Sequence, residues 1–90
     1  MSGQIKAVSV TADGALGLSE ICGVNAVELG AAVATLTITD GDGGPVVASI
    51  NLAASASDSV SFGGFIAATG TGGFFADEVT GDVRITVYGR

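Results

Sequence analysis

The sequence contains no histidine, no tryptophan, one cysteine and only three basic residues. Without histidine the usual base that activates a cysteine nucleophile is missing, so Cys22 is better interpreted as a small hydrophobic or interface thiol than as a catalytic group. A single cysteine also excludes a disulfide within the chain. Lys6, Arg84 and Arg90 can neutralise few phosphates, and the net charge of −6 argues further against a nucleic-acid partner. We expect neither an enzyme nor a bound cofactor.

Long apolar runs are also lacking, although 48% of the residues are hydrophobic and the mean hydropathy is +0.64. Polar residues and glycines interrupt the apolar stretches well short of the ~20 residues that a membrane-spanning helix needs, so we expect no membrane partner. Residues 1–10 contain one lysine followed by alternating residues, which is unlike the apolar centre of a signal peptide. The pattern indicates synthesis in a cytoplasm, where a lone thiol stays reduced.

The length of 90 residues corresponds to one domain, which we place at residues 1–90. A chain of this size buries only about two-thirds of the surface that its unfolded form exposes, so its margin of stability is thin. Charged residues make up 13% of the chain, well below the roughly one quarter typical of soluble domains. Association with further copies, or docking on a larger partner, would supply the missing stability.

What the sequence does contain is alternation of apolar and polar residues over short segments, the pattern of half-buried β-strands. The last segment illustrates this pattern, because apolar residues alternate with Arg, Thr and Tyr from position 83 to position 88. Similar segments predict strands at 4–11, 33–39, 46–52, 59–62, 65–68 and 74–79. Seven or eight short strands separated by turns rich in Gly and Asp predict an all-β protein, a small antiparallel β-sandwich or jelly roll.

Two parts of the sequence are less regular. Residues 15–29 have room for one or two strands bent at Gly23, but helical spacing also fits part of 20–29. The glycines at positions 17, 23 and 30 make the helix the weaker alternative. The pair Gly63 and Gly64 predicts a break or a bulge between the strands at 59–62 and 65–68.

The loop Asp40–Pro45 is the first candidate for a functional segment. Asp40 and Asp42 lie two residues apart, as in a calcium loop, but the remaining oxygen ligands of such a loop are missing. A hairpin turn in which Asp side chains accept hydrogen bonds from nearby amides is the simpler interpretation. We therefore assign no metal and regard Asp40, Asp42 and Pro45 as part of an exposed or partner-facing tip.

Aromatic residues are the second kind of candidate. The four phenylalanines are interpreted as the bulky part of a core made otherwise of Val, Ile and Ala. Because side chains alternate along a strand, one of the adjacent residues Phe74 and Phe75 must point outward, and that residue is a candidate partner contact. Tyr88 is another, since it alternates with the core-facing Val87. No residue stands out as catalytic.

Four segments, Ala34–Gly41, Val47–Ile50, Ser59–Gly64 and Arg84–Tyr88, together resemble small virion proteins of tailed bacteriophages. Those proteins are β-sandwiches of about this length, rich in Ala, Gly and Thr, and they include capsid cement or decoration proteins. The resemblance spans residues 33–90 and depends on the order of strands and turns. Residues 1–32 match nothing in the family and leave room for a candidate docking arm or segment.

The resemblance implies a structural role on the capsid exterior of a virion assembled in a bacterial host. Homotrimers at three-fold positions would bridge neighbouring subunits of the major capsid protein and stabilise the icosahedral head. Two alternatives remain: a tail, neck or fibre module of the virion, and a carbohydrate- or calcium-binding module of a bacterial surface.

Overall fold

The computed structural model describes residues 5–70 and 72–90, which form eight β-strands and no helix. The strands are β1 (Lys6–Val10), β2 (Gly14–Ala15), β3 (Glu20–Glu28), β4 (Ala34–Asp40), β5 (Val46–Leu52), β6 (Ser57–Ala67), β7 (Phe74–Thr80) and β8 (Val83–Gly89). Since no helix is present in this part of the chain, none that could cross a membrane occurs there.

Two four-stranded antiparallel sheets pack face to face. The first sheet has the order β1-β8-β3-β6 and the second the order β2-β7-β4-β5. Consecutive strands alternate between the sheets except at the β4–β5 hairpin, which is the arrangement of a jelly roll. The predicted all-β sandwich is confirmed.

The core lies between the sheets and consists of inward-facing strand residues together with Leu16 and Leu18, which follow β2. In β8, Val83, Ile85 and Val87 are buried as the alternation predicts. The remaining buried apolar residues are Leu16, Leu18, Ile21, Val24, Ala26, Ala34, Leu36, Ile38, Ala48, Ile50, Leu52, Phe74 and Ala76. Apolar burial of this kind is the main favourable term that holds the two sheets together.

The ambiguous segment 15–29 forms the short strand β2 and the long central strand β3, so the helical alternative is wrong. β3 pairs with β6 on one side and β8 on the other, and its register shifts between Ile21 and Gly23. The predicted bend at Gly23 therefore takes the form of this irregularity. Residues 6–28 contain β1, β2 and β3, while residues 1–4 of the candidate docking segment lie outside the described residues.

Strand β5 departs from the predicted alternation at its start. Strict alternation places Val46 on the same side as the buried residues Ala48 and Ile50, yet it is 59% exposed. Ile38 pairs with Ala48 whereas Thr39 pairs with Val46, so Val47 is an extra residue in the ladder. This bulge turns Val46 away from the core.

Strand β6 is continuous from Ser57 to Ala67, in contrast to the two strands expected there. Ile21 of β3 pairs with Ile66, and Gly23 pairs with Ser61, so the intervening residues of β6 bulge out of the ladder. Gly63 lies in this bulge with φ of 72°, a left-handed conformation that favours glycine. The predicted bulge at Gly63–Gly64 is confirmed.

Gly89 occupies a position in β8 that has no room for a side chain. A Cβ atom there would overlap the backbone carbonyl oxygen of Glu20 on the neighbouring strand β3. Because backbone cannot move aside as a flexible side chain does, we expect Gly89→Ala to lower the free energy of unfolding by about 1–3 kcal/mol. Urea denaturation would measure this effect. Gly14→Ala is the control, since a Cβ at position 14 meets no atom within 4 Å, and an equal loss in both variants would contradict the explanation.

Candidate interaction surfaces

The sandwich has two chemically different ends. Loops 16–19 and 41–45 meet at one end with residues 68–70 and 72–73, together with Lys6 and Arg90, and we call it the glycine end. Loops 29–33, 53–56 and 81–82 meet at the other, which we call the alanine end. The candidate loop Asp40–Pro45 therefore lies at the glycine end.

Asp40 is a structural residue of the glycine end. Its carboxylate accepts hydrogen bonds from the backbone N–H of Thr69 at 3.0 Å and from the Thr69 hydroxyl at 2.8 Å. The partner lies in the loop between β6 and β7, so Asp40 connects two loops instead of capping its own turn. Asp42 and Pro45 are exposed at the tip of the hairpin, as predicted.

No group of three Asp, Glu or Cys side chains lies close enough to hold a metal ion within residues 5–70 and 72–90. Asp40, which the calcium alternative requires, is already engaged with Thr69. The hydrogen bonds that Asp40 was predicted to accept within its own turn are made instead to Thr69, in the loop between β6 and β7.

A cavity of about 370 Å³ opens at the glycine end. Its lining includes Lys6, Arg90 and Ser19, along with the backbone of several glycines. Arg90 donates from Nε to Oε1 of Glu20 at 2.7 Å, and its guanidinium lies 3.7 Å from the centroid of the Phe65 ring. This engaged guanidinium orders the end of the chain against β3 and β6.

The aromatic candidates differ in how deeply the structure buries them. Phe74 is completely buried in the core, which removes it as a contact residue in this fold. Phe75 is half-buried on the outer side of β7 and is the outward-pointing member of the pair. Phe62 and Phe65 are also only half-buried, so Phe74 is the one phenylalanine among the described residues that fills the core.

Tyr88 lies on the outer face of the first sheet and is 41% exposed. In the ladder it is flanked by Ala7 of β1 and Gly23 of β3, whose small size leaves its ring standing above the sheet. Cys22 is half-buried nearby, with its thiol 3.5 Å from the Tyr88 carbonyl oxygen. Tyr88 thus remains a candidate contact on a face of small residues.

The alanine end contains the residue that sequence analysis missed. The Glu28 side chain is buried, and its two carboxylate oxygens accept hydrogen bonds from the backbone N–H groups of Gly30, at 2.7 Å, and Ser55, at 2.8 Å. The carboxylate therefore holds loops 29–33 and 53–56 side by side. Its position two residues after buried Ala26 was the available signal, because residues two apart share one face of a strand.

Around this carboxylate lies a group of exposed apolar residues, with exposed Asp82 beside them in loop 81–82. Leu29 is 44% exposed and Val33 71% exposed, and the alanines at positions 31, 32, 53 and 54 are exposed as well. Exposed apolar residues that are grouped, unlike scattered ones, mark surfaces that contact other molecules.

Comparison of the sequence with models of protein families and with curated proteins, and of the structure with solved structures, found no match.

Proposed function

We propose that the chain is a non-enzymatic virion protein, a cement that binds the outside of a tailed-bacteriophage head across the junctions between capsid subunits. The observation that supports the proposal is that the polar side chains described above hold loops in place. Glu28 and Asp40 brace loops, while Leu29 and Val33 are exposed together at the alanine end. Such a surface suits adhesion better than chemistry.

The fold is compatible with this role and with others. Jelly rolls occur in viral capsid proteins, lectins and cupins, so the architecture alone does not select a function. The sequence resemblance over residues 33–90 favours the virion. Many copies bound to one shell would add avidity even where each contact is modest.

Binding to heads tests the proposal directly. We expect the purified protein to co-sediment with empty heads of the phage that encodes it, and antibodies against it to label the heads of intact virions in electron micrographs. Label confined to tails or necks would support the alternative virion module. Virions that contain none of the protein would overturn the proposal, and heat released on titration with sugars or Ca²⁺ would favour the surface-binding module.

A further inference from the structure

The dipeptide Asp-Gly occurs three times in the sequence, at positions 13–14, 40–41 and 42–43. In this dipeptide the backbone nitrogen of the glycine is able to attack Cγ of the aspartate, because glycine has no Cβ atom to shield its amide or to restrict the backbone. The attack requires that the carboxyl group and the glycine N–H both be free. The structure distinguishes the three dipeptides by these two requirements.

The carboxylates of Asp13 and Asp40 are engaged in hydrogen bonds. Oδ1 of Asp13 accepts one from the backbone N–H of Val79 at 2.8 Å. The Asp40 carboxylate accepts one from the backbone N–H of Thr69 at 3.0 Å and another from the Thr69 hydroxyl at 2.8 Å. Hydrogen bonds to a charged group are stronger than those between neutral groups, so both carboxylates are held in place.

The glycines that follow these two aspartates are restrained as well. Gly14 is the first residue of β2 and pairs with Ala76 of β7. Gly41 donates its backbone N–H to the carbonyl oxygen of Gly73 at 3.0 Å. A glycine held in this way cannot turn its nitrogen toward the preceding side chain unless the contact is first broken. The first two dipeptides are therefore protected at the side chain and at the backbone.

The third dipeptide has neither restraint in the described part of the chain. The Asp42 side chain is exposed and accepts no hydrogen bond from the described residues. Asp42 and Gly43 are the central residues of a β-turn that is closed by the N–H of Gly44, which donates to the carbonyl oxygen of Gly41 at 3.0 Å. The φ of 72° at Gly43 is that of a type II turn. The Gly43 N–H takes no part in the closing hydrogen bond and donates to no other described residue.

We propose that Asp42 is a site of spontaneous covalent modification, at which the folded protein converts aspartate to isoaspartate. The nitrogen of Gly43 bonds to Cγ of Asp42, and the amide proton leaves with the carboxyl hydroxyl group as water, which produces a succinimide ring. Water then adds to either ring carbonyl. Addition at Cγ restores aspartate, whereas addition at the backbone carbonyl carbon leaves Gly43 attached through Cγ, which is isoaspartate. The reaction consumes no oxidant, reductant or enzyme.

Ring closure requires rotation about the Cα–C bond of Asp42, which the glycines at 41 and 43 allow at low cost. In the product the main chain of the loop Asp40–Pro45 is longer by a methylene group, while the carboxylate charge is kept. The modification therefore changes the shape of the exposed tip without changing the net charge of the chain. This inference concerns the chemistry of the loop and does not depend on the capsid proposal.

The experiment incubates the protein for several weeks at neutral pH, at a temperature at which circular dichroism shows it to be folded. Proteolytic peptides are then separated and sequenced by electron-transfer fragmentation, which distinguishes isoaspartate from aspartate at each position. We expect isoaspartate to form at least about tenfold faster at position 42 than at positions 13 and 40, because reaction there must first break hydrogen bonds to the carboxylate. Peptides that have lost water at position 42 would report the succinimide.

The same incubation in guanidinium chloride is the control for local sequence. The unfolded chain has none of these hydrogen bonds, so the rates at the three dipeptides should converge. Asp42→Glu is the matched variant: it keeps the charge, but its longer side chain disfavours ring closure, and the tip should then stay unmodified. Equal rates at the three positions of the folded protein, or a faster rate at position 13 or 40, overturn the proposal. Absence of isoaspartate at position 42 of the folded protein also overturns it, whatever the unfolded chain does.

Discussion

Replacing Phe74 with alanine is expected to bring the protein close to unfolding. Phe74 is the largest side chain that is completely buried. Truncating a buried phenylalanine costs about 3–5 kcal/mol, from lost apolar burial and from the cavity left behind. Domains of ordinary stability have only about 5–15 kcal/mol in total, and a 90-residue chain lies toward the lower part of that range. Urea or thermal denaturation followed by circular dichroism would measure the loss.

The neighbouring residue supplies the control. Phe75→Ala removes the same atoms from a half-buried position on the outer side of β7, so we expect a loss of no more than about 1 kcal/mol. The difference between the two variants measures which ring belongs to the core. Equal losses, or a larger loss for Phe75→Ala, would contradict the assignment.

The strands were predictable because side chains alternate between the two faces of a strand, and burial of one face leaves a period of two in the sequence. Val83, Ile85 and Val87 in β8 display that period and are buried. In β3 the period is interrupted between Ile21 and Gly23, which is why a helix remained an alternative for this segment. Local pattern was therefore sufficient for the fold class.

Bulges were predictable only where glycine marks them. Gly63 predicted the bulge in β6, because the positive φ at this position favours glycine. The bulge at Val47 has no such residue, because it arises from the pairing of β5 with the end of β4. Glu78 is similar: it has φ of 50° where the register of β4 and β7 shifts by one residue. Register depends on the partner strand, which the sequence of one segment does not contain.

The candidate surfaces were predictable to the same limited extent. Alternation required one of Phe74 and Phe75 to point outward, but it could not select which. The face on which each side chain lies depends on how β7 pairs with β2 and β4. The hydrogen bonds of Asp40 with Thr69 and of Glu28 with Ser55 join residues 29 and 27 positions apart. Contacts at such separations come from the topology and leave no periodic trace in the sequence.

Glu28→Ala is the second substitution for which we expect a large loss of stability. The buried carboxylate satisfies the backbone N–H groups of Gly30 and Ser55, and alanine leaves both donors without an acceptor. An unsatisfied buried donor costs about 1–3 kcal/mol. Because Gly30 is only half-buried and Ser55 is exposed, water can reach these donors, and we expect the lower part of the summed range, a loss of about 2–4 kcal/mol in the free energy of unfolding. Glu28→Gln retains one acceptor oxygen and is expected to fall between the parent and the alanine variant.

Asp42→Ala is the matched control, because it removes a carboxylate from an exposed loop tip and is expected to change stability by less than about 0.5 kcal/mol. Amide hydrogen exchange locates the effect: Gly30 and Ser55 should lose protection in Glu28→Ala before the amides of β8 do. That order follows if Glu28 holds the two loops of the alanine end together. Uniform loss of protection, or a cost equal to that of Asp42→Ala, would mean that the carboxylate does not fix the apolar surface formed by Leu29 and Val33.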